Sequence, residues 1–164
     1  MTVSAQVQLL DQNTANQIAA GEVVEKPASV VKELVENALD AGAGKIEVTI
    51  FEGGTQYIRV ADNGSGMTEA NARLAVLRHA TSKIRAAEDL MSLHTLGFRG
   101  EALPSIASVS NFQLLTRPEN EEFATSIRID GGEQTECQQT GGQAGTTVIV
   151  ENLFFNVPAR RKFL

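Results

Sequence analysis

The chain has 164 residues, of which 42% are hydrophobic and 21% charged, a balance typical of one folded domain rather than a disordered segment. Its formal net charge of −6 and its aromatic content, with no Trp, one Tyr and seven Phe, argue against a domain built mainly to grip nucleic acid. The single cysteine, Cys137, excludes an internal disulfide and a cysteine-based zinc framework, and it fits a reducing compartment.

Neither a signal peptide nor a membrane span is predicted. The first residues lack a basic region followed by a long apolar run, and no apolar run approaches the thickness of a bilayer. Arg160, Arg161 and Lys162 form a basic cluster that is compatible with a local DNA contact, although a solvated surface explains so few charges more simply.

The chain is predicted to begin with two helices. A short one covers residues 9–21, and a second covers residues 29–41 with Ser29 as its N-cap. The second helix carries apolar residues at the spacing of a single helical face, namely Val31, Leu34, Val35 and Ala38.

The same spacing predicts a polar face on this second helix. At about 100° per residue, Glu33, Asn37 and Asp40 fall opposite the apolar stripe. The helix therefore presents two carboxylates and an amide away from the core.

A β-hairpin is predicted next. Residues 45–51 alternate between apolar and polar, as in a half-buried strand, and residues 55–61 form a second strand after a turn at Gly53 and Gly54. A glycine-rich bend with one carboxylate, residues 62–66, follows directly.

Two more helices and a long connection are predicted in the middle of the chain. Thr68 caps a helix that reaches about His79, and residues 100–107 form another, in which Pro104 is tolerated only in the first turn. The connection at 80–99, with a short helix near 87–93, has the length typical of lids and binding segments.

The last third of the chain has the pattern of β-structure. Strands are predicted at 112–116, 123–129, 133–140 and 146–151, and their glycine-rich turns indicate an antiparallel meander. With no internal repeat and no interdomain linker, residues 1–164 are predicted to form a single domain.

Glu33 and Asn37 are the first candidate site residues. They lie one helical turn apart, so their side chains are neighbours. Magnesium prefers oxygen ligands and usually takes only one or two of them from the protein, the others coming from water and phosphate. The Asn37 amide oxygen can serve as such a ligand without adding negative charge near the phosphates. Glu33 is then free to polarise a water for attack on a γ-phosphate. A solvated helix face is the alternative for such a pair.

Asp62 is the second candidate, because a carboxylate at the end of an apolar strand can accept a hydrogen bond from an exocyclic amine such as adenine N6. Gly64 and Gly66 would let the backbone approach a flat ring. A plain Asp-Asn-Gly turn is the alternative.

Phosphate-compatible residues occur in two further places, and a candidate supporting hydroxyl occurs in a third. The segment Gly97, Phe98, Arg99, Gly100 and Glu101 precedes a predicted helix, whose free N–H groups suit a phosphate. Thr81, Ser82 and Lys83 offer two hydroxyls and an ammonium group, and Thr146 can support Asp62 through a water. Ordinary loop caps and β-turn chemistry are the alternatives, and the chain contains no P-loop sequence.

Taken in order, Glu33 with Asn37, the 62–66 bend, the 97–100 glycines and Gly145-Thr146 resemble the four motifs of the GHKL ATPase superfamily. Several longer stretches resemble the MutL family of mismatch-repair proteins within it, and together they extend over essentially the whole chain: 18–24, 27–37, 40–43, 78–83, 97–103 and 156–164.

This resemblance implies a fold and a set of roles. The fold would be an α/β (α+β) two-layer sandwich, with helices on one face of a mixed, mostly antiparallel sheet. Glu33 would be the general base, Asn37 the Mg²⁺ ligand and Asp62 the adenine ligand. Thr146 would lie near the base, and the 81–83 and 97–101 segments would belong to the ATP lid and phosphate shell. The implied cofactors are ATP and Mg²⁺.

The resemblance also implies partners. ATP binding would close the lid and form a homodimer that acts on DNA and passes a signal from the mismatch-recognition protein to nuclease and helicase, in the bacterial cytoplasm and on the nucleoid, without membrane contact. A transducer subdomain with a phosphate-contacting lysine and a C-terminal dimerisation domain are expected outside this chain. The alternative is therefore a fragment that binds nucleotide without turnover. A histidine kinase is disfavoured, because no His precedes Glu33.

Overall fold

One six-stranded sheet with helices against one face makes up the structure, a computed structural model that describes residues 26–77 and 102–157. The helices are α1 (Pro27–Asp40), α2 (Glu69–Ala75) and α3 (Ala102–Ala107), with a short 3₁₀ turn at Glu52–Gly54. The strands are β1 (Ile46–Phe51), β2 (Tyr57–Asp62), β3 (Asn111–Arg117), β4 (Ala124–Asp130), β5 (Glu133–Thr140) and β6 (Gly145–Glu151).

The sheet order is β1-β2-β6-β3-β4-β5, and every pairing within the described residues is antiparallel. The predicted β1–β2 hairpin is confirmed, but the simple meander is wrong for the last strand, which inserts between β2 and β3. The reason is burial. Strand β6 carries Val148 and Val150, which are buried at the centre of the sheet, whereas β5 is almost entirely polar and suits an edge.

Helix α1 begins at Pro27 rather than at Ser29, so the predicted N-cap is wrong. Lys26 occupies the cap position, and the Ser29 N–H donates to the Lys26 carbonyl at 2.9 Å. The ring of Pro27 fixes a φ that suits the first helical position, and its missing N–H costs nothing there.

The buried face of α1 is also rotated relative to the prediction. Its fully buried residues are Val30, Leu34 and Ala38, while Val31 and Val35 are only partly buried. At about 100° per residue, Glu33 and Asn37 then lie beside the buried stripe rather than opposite it, and both are partly buried. They therefore border the interface between helix and sheet.

The core lies between the helices and the even-numbered side chains of β2, β3 and β6. Helix α3 is buried along its whole described length, Pro104 included. The largest fully buried side chains nearby include Phe112, Leu114 and Phe154. On the edge strand β1 only Ile46 packs on this core, because α1 lies mainly over β2.

Helix α2 confirms its predicted cap but ends at Ala75, earlier than predicted. The Thr68 hydroxyl accepts a hydrogen bond from the Asn71 N–H at 3.2 Å. The predicted elements at 9–21 and 87–93 lie outside the described residues. None of the helices within 26–77 and 102–157 is long and apolar enough to cross a membrane.

Gly66 is expected to be the least replaceable glycine in the bend after β2. Its φ is +69°, and a Cβ there would overlap the Arg117 carbonyl. Gly66→Ala should therefore lower the free energy of unfolding by about 1–3 kcal/mol or more, measured by urea denaturation.

Gly141→Ala is the matched control, because a Cβ at Gly141 meets nothing within 4 Å and its φ is not positive. It should change the stability little. Equal losses in the two variants would contradict the assignment of Gly66 to a close backbone approach.

Candidate functional site

The site is organised around Asp62, the last residue of β2. Side chains alternate along a strand, so Asp62 faces the helix layer together with the buried Ile58 and Val60. Asp62 Oδ1 accepts a hydrogen bond from the Gly64 N–H at 2.7 Å, and the carboxylate also accepts one from the Thr146 N–H on β6. Two backbone donors thus hold a partly buried carboxylate at the end of a central strand.

Burial raises the pKa of the Asp62 carboxyl above its ordinary value of 3.8, because desolvation disfavours the charged form. The hydrogen bonds from Gly64 and Thr146 act in the opposite direction but do not cancel the burial. The ionised group is therefore a poorly hydrated acceptor, which favours a ligand that offers N–H donors.

The loop after Asp62 is attached to the end of α1. Asn63 Oδ1 accepts hydrogen bonds from the N–H groups of Gly44 and Lys45, at 2.8 and 2.9 Å. The Ser65 N–H donates to the Ala41 carbonyl at 3.0 Å. The bend between α1 and β1 and the loop after β2 are consequently one connected unit.

The glycines in and around this loop allow close packing of backbone on backbone. A Cβ on Gly64 would lie 2.8 Å from the Ala41 Cβ, and a Cβ on Gly66 would overlap the Arg117 carbonyl. Gly145, with a φ of +113°, packs against the Asp62 carbonyl. These glycines therefore have a packing role within the protein, beside the predicted one of approaching a ligand.

A row of polar side chains crosses the sheet at this level. Asp62 is opposite Thr146 on β6, and Thr146 is opposite Thr116 on β3. The hydroxyls of Thr116 and Thr146 lie 2.9 Å apart, and Thr116 is 1% exposed. Sequence reasoning missed Thr116. Its signal was a threonine continuing the apolar positions Phe112 and Leu114 on the buried face.

Glu33 and Asn37 lie on the element that adjoins this loop. The Ala41 N–H donates to the Asn37 carbonyl at 3.0 Å, so Asn37 is one turn before the residue that holds Ser65. Glu33 is one turn earlier, on the same flank of α1. The fold thus brings Glu33, Asn37, Asp62, Gly64, Gly66 and Thr146 onto adjoining elements.

The remaining predicted site residues lie outside the described residues. These are Thr81, Ser82 and Lys83, and the segment Gly97, Phe98, Arg99, Gly100 and Glu101. Their roles stay predictions.

A hollow of about 280 Å³ lies behind the site, on the opposite face of the sheet. Its walls include Lys45, Glu47 and Arg59, and the Glu47 carboxylate lies 3.4 Å from Lys45 Nζ and 4.0 Å from the Arg59 guanidinium. The ends of the strands at Asp62 and Thr146 also border it. Because the Asp62 side chain faces the helices, the candidate site is on the other side of the sheet from this hollow.

Comparison with known proteins identifies the class. A family model described as histidine kinase-, DNA gyrase B-, and HSP90-like ATPase matches residues 25–144. An Aquifex aeolicus MutL ATPase domain complexed with ADP is similar in structure, with a TM-score of 0.68, 39% identity, and coverage of 87% of this chain and 48% of that one. The N-terminal domain of a DNA repair protein gives a TM-score of 0.76 and 36% identity, covering 93% of this chain and 44% of that one.

The chain belongs to the histidine kinase-, DNA gyrase B- and HSP90-like ATPase family, whose model matches well over half of its residues. The predicted sandwich of helices on an antiparallel sheet is confirmed.

Within that family the predicted resemblance to MutL is also confirmed. The chain is 63% identical over 158 residues to the DNA mismatch repair protein MutL of Heliobacterium modesticaldum, covering 96% of this chain and 24% of that protein. It is 60% identical over 158 residues to MutL of Caldanaerobacter subterraneus subsp. tengcongensis, covering 96% of this chain and 27% of that protein. The chain thus spans about a quarter of the length of these curated relatives.

The raised pKa of Asp62 predicts how stability depends on pH. Below the ordinary value of 3.8 the carboxyl is protonated in the folded and unfolded states alike, and it carries no charge to bury. As the pH rises through the folded-state pKa, the folded state has to hold a charge that the unfolded chain solvates better, so stability is lost.

We therefore expect the unfolding free energy of the wild type, relative to Asp62→Asn, to fall as the pH is raised above about 4 in chemical denaturation. A rise with increasing pH would mean that the two backbone donors outweigh the burial.

Proposed function

We propose that residues 1–164 form the single ATP-binding and ATP-hydrolysing domain of a MutL-like mismatch-repair protein. The observation that carries the proposal is the partly buried Asp62 carboxylate, held by the Gly64 and Thr146 N–H groups beside the end of α1. A desolvated acceptor at the rim of an α/β interface suits an adenine base. The similarity to an ATPase domain complexed with ADP supports the same assignment.

Asp62 would bind the base. Its carboxylate accepts a hydrogen bond from the exocyclic amine of adenine, and its neighbour Thr146 supplies a hydroxyl on the same face of the sheet. Because the carboxylate has already lost much of its hydration, little further desolvation is required when the base arrives. Gly64 and Gly66 let the loop pack closely against Ala41 and Arg117.

Asn37 would be the protein ligand of Mg²⁺. Within 26–77 and 102–157 no group of three or more His, Cys, Asp or Glu side chains forms a metal site, so a dedicated protein cage is not available there. A neutral amide oxygen on the flank of α1 fits an ion that takes its other ligands from water and phosphate. When bound, the ion would neutralise charge on the β- and γ-phosphates.

Glu33 would position and polarise the attacking water. It lies one turn before Asn37 on the same flank of α1, where it is partly buried. A carboxylate at this position acts as the base, while a neutral Asn contacts the metal, so the two tasks do not compete for one ligand.

The parts outside the described residues complete the proposal. Thr81, Ser82, Lys83 and the 97–101 segment would contact the phosphates and form the lid. In a longer protein, ATP binding would drive formation of a homodimer that acts on DNA and signals from the mismatch-recognition protein to nuclease and helicase, in the bacterial cytoplasm. The relatives named as MutL mismatch-repair proteins support this larger role.

The roles of Glu33 and Asp62 can be separated by experiment. Glu33→Ala should lower the single-turnover rate of phosphate release by about 10²–10⁴-fold, because general-base assistance is lost, while ATP affinity stays near that of the wild type. Asp62→Asn should weaken ATP binding in calorimetry, because the base loses a charged acceptor.

Two outcomes would contradict these roles. Equal phosphate release by the wild type and Glu33→Ala would favour a domain that only binds nucleotide. Equal losses of affinity in the Glu33 and Asp62 variants would mean that the two roles are wrongly divided.

Asn37→Ala should remove the magnesium-dependent part of ATP affinity. The substitution deletes the amide oxygen but leaves Asp62 intact, so adenosine, which carries no phosphate, should bind as tightly as to the wild type. Calorimetric titration with ATP in the presence of Mg²⁺ or EDTA measures the magnesium-dependent part of the affinity. Titration with adenosine measures the part that comes from the base and sugar. An undiminished effect of Mg²⁺ in the variant would rule out Asn37 as the ligand.

A further inference from the structure

The side chain of Asn63 joins two segments of the chain without being part of the core. Asn63 is exposed, yet its Oδ1 accepts hydrogen bonds from the Gly44 N–H at 2.8 Å and from the Lys45 N–H at 2.9 Å. These partners lie 19 and 18 residues earlier in the chain. An exposed side chain that receives two backbone donors from a distant segment fixes the position of that segment and fills no interior space.

Asn63 lies between the two halves of the proposed nucleotide site. It directly follows Asp62, which would hold the base. Its two partners lie in the turn between α1 and β1, and α1 carries Asn37, which would hold Mg²⁺ on the phosphates. The amide oxygen of Asn63 therefore bridges the base half and the phosphate half of the site.

Apolar packing alone does not fix the spacing of these halves. The buried residues of α1 are Val30, Leu34 and Ala38, and their contacts with the core are apolar and have no preferred direction. Two backbone hydrogen bonds, donated by the N–H groups of Ser65 and Asn63 at 3.0 and 3.2 Å, also attach the loop to the end of α1 and the turn after it. The two bonds to the Asn63 side chain are shorter than both.

We propose that Asn63 is a positioning residue that holds the base half and the phosphate half at the spacing of one bound nucleotide. The proposal rests on the proposed function, because it requires ATP to span both halves. A ligand that spans two half-sites gains affinity over its parts only when their spacing is already set. Loss of the side chain should therefore weaken the binding of ATP more than that of adenosine, which contacts the base half alone.

The test measures the dissociation constants of ATP with Mg²⁺ and of adenosine by calorimetry for the wild type and Asn63→Ala. Because Asn63 is exposed, its truncation opens no cavity, and the released N–H groups can turn to water. Ser65→Ala is the matched control. Ser65 is exposed in the same loop and joins the attachment through its backbone N–H, which the substitution keeps.

We expect Asn63→Ala to weaken ATP binding about tenfold and adenosine binding less than about twofold. Ser65→Ala should keep both wild-type values. Asn63→Gln covers the case in which Asn63→Ala does not fold. It retains an amide but moves the oxygen by one methylene group, so it should also weaken ATP binding more than adenosine binding.

A double-mutant cycle with Asn37→Ala separates positioning from a general loss of structure. Without the metal ligand the spacing of the halves no longer matters. Asn63→Ala should therefore weaken ATP binding about tenfold in the wild-type background and little in the Asn37→Ala background. A purely structural role would weaken ATP and adenosine binding to the same degree in both backgrounds.

The outcomes distinguish this inference from the proposed function. If the wild type binds ATP, then equal factors for ATP and adenosine, or additive effects in the cycle, overturn the role of Asn63 alone. An unchanged ratio of the two affinities in Asn63→Gln does the same. Failure of the wild type to bind ATP overturns the proposed function, and this inference with it.

Discussion

The attachment of the 62–66 loop to the end of α1 is the constraint on which the candidate site depends. One amide oxygen, Asn63 Oδ1, accepts two backbone N–H groups from the turn after α1, and Ala41 accepts a third from Ser65. Backbone donors in turns otherwise need water. Here the Asn63 side chain satisfies the two donors of the turn, and Ala41 satisfies the donor of the loop. These three hydrogen bonds tie the position of Asp62 to the helix that carries Glu33 and Asn37.

This attachment explains why glycines recur around Asp62. The loop is pressed between the end of α1 and the end of β3, so Gly64 meets Ala41 and Gly66 meets Arg117 with no room for a Cβ. Side chains there would push the loop away from both elements and separate the carboxylate from the helix. The packing observed here and the proposed approach of a ligand thus select the same residue type.

The charge of the Asp62 carboxylate opposes the stability of the fold. Burial raises the pKa of Asp62, so its charged form costs free energy in the folded state at neutral pH. An asparagine would avoid that cost but would be a weaker acceptor for an amine. A residue that is unfavourable for folding and favourable for a ligand is common at binding sites.

Local patterns were enough to predict the elements. Period-two alternation located the β1–β2 hairpin, and the Thr68 cap marked the start of α2. Patterns were insufficient where two local signals competed. Ser29 is a good cap by composition, but the fixed φ of Pro27 begins α1 earlier. The face of α1 was misjudged because Val30 and Val31 are both apolar, and only packing against the sheet shows that Val30 is the buried one.

The sequence by itself determined the candidate residues Glu33, Asn37, Asp62 and Thr146, because their types and spacing are those that the proposed nucleotide site requires. The tertiary structure decided how β6 enters the sheet, and with it which residues surround Asp62. The bond between Met67 and Thr116 joins residues 49 apart in the chain, and the contact between Thr116 and Thr146 joins residues 30 apart. Such pairs have no signature in local sequence, because strand order depends on which strands can bury both faces.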